Sequence, residues 1–147
     1  MFGGKADATA PEDTESVSGR VAYSFLDKEG YLTRSTYLGS KDIMTIGYTF
    51  MQQSDAFGDE SATTDFSASN IDFLLEKNLA DGSVATLEAA LYDYDEFGAA
   101  SKEGDATMVS LAYMPDGVFG LGRLQVSVRY QEFSPDDNSN DLSLIHI

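Results

Sequence analysis

Asn70-Ile71-Asp72-Phe73-Leu74-Leu75-Glu76-Lys77-Asn78-Leu79-Ala80-Asp81-Gly82-Ser83-Val84-Ala85-Thr86-Leu87-Glu88-Ala89-Ala90-Leu91-Tyr92-Asp93-Tyr94 decides the fold. Successive side chains of a strand face opposite sides. Ile71, Phe73 and Leu75 therefore share one face, while Asn70, Asp72, Leu74 and Glu76 share the other. After Ala80-Asp81-Gly82-Ser83 the alternation resumes, with Leu87, Ala89 and Leu91 opposed to Thr86, Glu88, Ala90 and Tyr92. Asp-Gly between two alternating runs predicts a β-hairpin with a tight primed turn, because such turns need residues that tolerate positive φ. One face of the hairpin is apolar and the other carries Asp72, Glu76 and Glu88. Repeated many times, that pattern predicts a barrel in lipid.

The alternation does repeat. Val17, Gly19, Val21, Tyr23 and Phe25 alternate with Ser18, Arg20, Ala22 and Ser24; Met44, Ile46, Tyr48 and Phe50 alternate with Thr45, Gly47 and Thr49. Val109, Leu111 and Tyr113 oppose Met108, Ser110 and Ala112. The last run sets Leu124, Val126, Val128 and Tyr130 against Arg123, Gln125, Ser127, Arg129 and Gln131. Placing Arg123 and Arg129 inside a dry sheet is costly, so their face must be wet. The expected fold is all-β: an antiparallel meander of about six amphipathic transmembrane strands, an open curved segment of a larger barrel.

Taken alternately, the connections sort into two ends. Lys5–Ser16, Gln52–Asp65, Asp95–Asp105 and Phe133–Asp141 gather at one end and hold most of the acidic residues. Lys28–Lys41, Ala80–Ser83 and Pro115–Phe119 gather at the other, where two of the connections are tight, as in barrels whose short turns face the periplasm. Tyr23, Phe25, Tyr48, Phe50, Tyr113 and Tyr130 are expected near strand ends, as aromatic girdles. The Lys28–Lys41 connection is read as ordered, with its details open.

Bulk properties narrow the function. The chain has 147 residues and a formal net charge of −16, which argues against nucleic acid as a partner because phosphates would be repelled. No run of about eighteen apolar residues exists, so a transmembrane helix is excluded, but strands need only about nine to eleven residues with every second one apolar. The mean hydropathy of −0.23 is therefore compatible with a barrel. There is no Cys, which removes disulfides and thiol chemistry. The lone His146 lies at the end of the chain, so no Ser-His-Asp or histidine-bound metal site is expected, and the chain is read as no enzyme. Asp136-Asp137-Asn138-Ser139-Asn140-Asp141 begins like a calcium loop but lacks the Gly of its sharp turn, and Ile147 stands where the bidentate Glu belongs. No metal and no cofactor is expected.

Gly19-Arg20-Val21-Ala22-Tyr23-Ser24-Phe25-Leu26-Asp27, Ser35-Thr36-Tyr37-Leu38-Gly39-Ser40-Lys41-Asp42-Ile43-Met44-Thr45-Ile46-Gly47 and Thr86-Leu87-Glu88-Ala89-Ala90-Leu91-Tyr92-Asp93-Tyr94-Asp95 resemble the phosphate-selective porin O/P family of Gram-negative outer membranes. The resemblance covers roughly residues 17–133 and implies a barrel of about sixteen strands assembled as a trimer, of which this chain would be a part. It implies location in the bacterial outer membrane, contact with the lipid bilayer and lipopolysaccharide, and passive diffusion of small ions or solutes, including anions such as phosphate. Basic residues give that family its anion selectivity, and here the pore-lining candidates are mixed: Arg20, Arg123 and Arg129 against Asp72, Glu76 and Glu88.

Met1-Phe2-Gly3-Gly4 runs straight into polar residues, so a leader is expected upstream if the chain belongs to an outer-membrane protein. Leu142-Ser143-Leu144-Ile145-His146-Ile147 is the translation of CTGTCTCTTATACACATC, which resembles a transposon sequencing adapter. Residues 1–141 are accordingly expected to be a partial barrel, and residues 142–147 adapter read-through; a genuine strand start is the alternative. The alternative function is a soluble or surface-attached β-sandwich that binds through its acidic loops. In that case Val21, Ile46, Phe73, Leu87, Leu111 and Val126 should face a common core.

Overall fold

The alternating runs pair edge to edge. The computed structural model describes residues 15–29, 37–59, 62–95, 103–136 and 142–146. They form one antiparallel sheet of seven strands in sequence order: β1 (Ser16–Ser24), β2 (Ile43–Asp59), β3 (Ala62–Asn78), β4 (Val84–Asp95), β5 (Gly104–Met114), β6 (Val126–Pro135) and β7 (Leu142–His146). The sheet is open: among the described residues β1 and β7 do not pair with each other, and no second sheet is present.

Register places the two faces. One cross-strand row runs Tyr23, Ile46, Phe73, Ala89, Val109, Tyr130. The neighbouring row on the opposite face runs Ser24, Thr45, Leu74, Glu88, Ser110, Arg129. Val21, Ile46, Leu111 and Val126 stand on the first face and are exposed at 75%, 44%, 52% and 55%, while Phe73 and Leu87, on the same face, are half-buried. The buried side chains Ile43, Thr45, Leu74, Glu76, Val84, Thr86, Ala90 and Met114 stand on the second. On β2 to β5 the covered side chains thus share the face of the charged residues, five of them apolar, while the opposite apolar rows stay open; on β1 and the first half of β6 neither face is covered.

Four boundaries differ from expectation. The expected loop Gln52–Asp65 is largely a continuation of the β2–β3 hairpin, with a register shift between Gln53 and Phe57. Asp55 sits in this bulge at φ 51°, where its N–H donates to Asp65 Oδ1 at 2.9 Å. Polar side chains do not end a ladder made by backbone groups, and Phe57, Thr63, Thr64 and Phe66 favour extended backbone. Tyr48 and Phe50 consequently lie well inside β2 instead of near its end, and Tyr130, also expected near a strand end, stands in the middle of β6.

The hairpin turn is not primed, since only Gly82 takes positive φ, at 82°. Gly82 N–H donates to Leu79 O at 3.0 Å and Leu79 N–H to Ser83 O at 2.9 Å, a three-residue loop with Gly in the left-handed position. Asp81 Oδ1 accepts the Ser83 N–H at 3.0 Å and its hydroxyl at 2.6 Å. Those bonds lower the Asp81 pKa.

The last long strand begins at Val126 and not at Arg123. A tight turn closed by Phe119 N–H to Gly122 O at 2.7 Å holds residues 123–125 off the ladder, which resumes at Tyr113 opposite Val126. Finally, residues 142–146 pair with β6, giving a seventh strand beyond the six expected. A short segment beside an open edge satisfies that edge's N–H and C=O groups whatever its origin.

The antiparallel order sorts the connections as expected. Asp65, Asp95, Glu103, Asp105 and Asp136 lie at one end of the sheet, and Asp93 is directly opposite Asp105 there. Residues 1–14, 60–61, 96–102 and 137–141, which carry the remaining acidic stretches and the calcium-like run after Asp136, lie outside the described residues.

Candidate functional site: the polar face

Six charged side chains were candidates for this face, and the strands bring them to different fates. Arg20 and Asp72 stand on β1 and β3 with β2 between them. Arg20 Nη2 donates to Asp72 Oδ1 at 2.8 Å while Nη1 donates to Asp72 Oδ2, a two-pronged pair. The same Nη1 reaches Thr49 Oγ1 at 3.3 Å, and Glu29 lies 4.0 Å from Nη2. Asn70 Nδ2 adds a contact of 3.4 Å to Asp72. The guanidinium lies on Gly47 of the intervening strand, where a Cβ would stand 2.5 Å from Nη2 and 2.7 Å from Cζ. Charge at this point is internally cancelled.

Glu76 is fully buried, with 0% of its surface exposed, so it does not line an open surface. Its two oxygens accept the N–H groups of Tyr37 at 2.9 Å and Gly39 at 2.7 Å, and Thr86 Oγ1 lies at 3.4 Å. Leu38 and Gly39 both have positive φ, 54° and 78°, and Ser40 N–H closes the turn on Tyr37 O at 3.1 Å. The carboxylate therefore clamps a strained turn of the β1–β2 connection onto the polar face, as backbone nests hold anions elsewhere.

Arg123 lies outside the strands and donates from Nη2 to Gly82 O at 3.2 Å, tying two connections together at the short-turn end. At the same end Lys77 Nζ pairs with Asp42, and Asn78 donates to Asp42 Oδ1 from its N–H at 2.9 Å and from Nδ2 at 3.0 Å. The Lys77 bond above all, with the two from Asn78, holds the Asp42 carboxyl down at about 2, from an ordinary 3.8.

Glu88 and Arg129 remain. They occupy one cross-strand row with Ser110 between them, and neither has a hydrogen bond or ion pair among the described residues. Glu88 is half-buried and Arg129 exposed. Glu88 borders a concavity of about 420 Å³ that also touches Arg20, Glu29, Asn70, Asp72 and Tyr92. Glu29, Asn70 and Tyr92 were not among the sequence candidates. Gly47, in the middle of an alternating run, was the signal that another side chain approaches closely. Among the described residues no group of three or more His, Cys, Asp or Glu is placed to hold a metal ion.

This arrangement can order ions and water along a half-charged wall. No protein-family model, curated protein or solved structure matches the chain.

Proposed function

We propose that the chain is a wall segment of a Gram-negative outer-membrane porin, a trimeric β-barrel of which further strands lie outside this stretch. The observation that carries this reading is an apolar face left open: Val21, Ile46, Leu111 and Val126 are exposed on it, Phe73 and Leu87 are half-buried between them, and no second layer among the described residues covers it. Lipid is the solvent that makes such a sheet stable, because it favours the apolar face and requires every backbone group to pair within the ladder. The polar face then borders water, and its function is passive diffusion of small ions and solutes, not catalysis. Seven strands cannot enclose an aqueous lumen, since barrels of about eight are already filled by side chains, so the open edges of β1 and β7 call for more strands.

A soluble sandwich would need a second layer on the apolar face, and the described residues supply none. The test is to read the source DNA past both ends of this frame. A signal peptide upstream, about nine or ten further alternating strands and a different sequence in place of Leu142–Ile147 are the expected result. A start at Met1 and a stop directly after Ile147 would overturn it in favour of a small complete β protein.

A further inference from the structure

The porin reading names a channel but no preferred solute, and the charges of the polar face carry that question further; the inference rests on that reading. We propose that the wall formed by β3, β4 and β5 is a cation path, with Glu88 as its selectivity-determining carboxylate.

The argument is one of uncancelled charge. Arg20 has the opposite charge of Asp72 on two of its nitrogens and Glu29 at 4.0 Å, so it offers no free field to an anion. Arg123 is outside the strands and directed at the Gly82 carbonyl. Arg129 is the one guanidinium on the face that has neither a hydrogen bond nor an ion pair among the described residues. It is separated from Glu88 by the whole of β5, so their backbones are two strand spacings, about 9–10 Å, apart. Arg129 acts on the Glu88 charge across β5 and weakens its field, but it forms no ion pair with it.

Glu88 is thus a carboxylate with no hydrogen-bond or ion-pair partner, bordering the concavity of about 420 Å³ beside a neutralised pair. Asp65, Asp93, Asp95, Glu103, Asp105 and Asp136 raise the local cation concentration at one end of the same strands, and among the described residues no Lys or Arg opposes them there. A small hydrated monovalent cation fits this wall: it is attracted by one carboxylate and passes without being trapped by a chelating set.

The test uses the full-length protein that contains this chain, purified in detergent and inserted into planar bilayers. Its zero-current potential is measured across a KCl gradient, for the wild type, Glu88→Gln and Arg129→Gln. The expected result is a preference for K⁺ over Cl⁻ that falls by about two-fold or more in Glu88→Gln and rises in Arg129→Gln, with open channels retained. Arg129→Gln, at an exposed and unpaired position, keeps the test decisive if Glu88→Gln fails to fold. A wild-type preference for Cl⁻, or permeability ratios that neither substitution moves, would overturn the cation path while leaving the porin intact. Inserted protein with no conductance would overturn the porin reading itself, and the cation path with it.

Discussion

Arg20 on β1 reaches Asp72 on β3 across the bare backbone of Gly47 on β2, a cross-sheet pair that exists because the middle strand has no side chain at the crossing point. Three residues on three strands are thereby coupled, and the coupling has a measurable sign.

Gly47→Ala puts a Cβ at 2.5 Å from Arg20 Nη2, so the guanidinium must leave. The expected cost in the wild type is about 1 kcal/mol, the upper range for a partly exposed ion pair with good geometry. In an Arg20→Ala background the crossing is empty, and the same substitution should stabilise by roughly 0.5–1 kcal/mol because Gly is poor in a strand interior. Urea unfolding of the four proteins of this cycle in detergent checks it; equal effects of Gly47→Ala in both backgrounds would mean that no crossing exists in solution.

Glu76 and Leu38 form a second testable couple. Glu76→Leu leaves the N–H groups of Tyr37 and Gly39 without their acceptor, an expected loss of about 2–4 kcal/mol. Leu38→Asn should act in the opposite direction: Leu38 holds φ 54° and is exposed, and Asn visits that region with less strain, for a gain of roughly 0.5–1 kcal/mol. Thermal unfolding of both variants in detergent reads the two signs.

Much of this architecture is legible in the sequence, because period-two alternation depends only on which side chains share a face. The shared faces of Ile71 with Phe73, of Leu87 with Leu91 and of Val109 with Leu111 followed directly. The length of β2 did not, because Gln52 and Gln53 look like loop residues although their backbones pair normally, and the ladder resumes at Phe57 after the bulge. The assignment of single charges was also hidden. Alternation places Arg20, Asp72, Glu76 and Glu88 on one face but is blind to diagonal contacts and to a connection folding back, and these distinguish a paired Arg20 and a buried Glu76 from an unpaired Glu88.

Asp42 gives the short-turn end an acid-sensitive lock. Its carboxyl is held at about 2 by Lys77 and Asn78 instead of 3.8, so the folded state favours the charged form. A depressed folded value contributes stability that is fully present above the unfolded value and is lost as pH falls through the folded one. Acid unfolding should therefore steepen between about pH 4 and pH 2 in the wild type. Asp42→Asn, less stable at neutral pH, should show a shallower slope over that window. Midpoints of denaturation measured at several acidic pH values decide it; parallel slopes would mean that the Lys77 and Asn78 bonds are absent in solution.

The proposed lipid contact of the apolar face makes the strongest demand on Leu91, which is 58% exposed and directly opposite Ile71, itself 50% exposed. Leu91→Arg puts a charge where the band should meet hydrocarbon, and it is expected to cost about 2–4 kcal/mol when the protein folds into phosphatidylcholine vesicles. Ser110→Arg, on the polar face beside Glu88, serves as the control and should cost under about 1 kcal/mol, because that face is wetted. Denaturant titration of vesicle-folded protein reads both values. Without lipid or detergent the wild-type chain should aggregate, since its exposed apolar rows and unpaired edges template association. A detergent-free monomer that unfolds cooperatively and tolerates Leu91→Arg would place that face against water and remove lipid from the account.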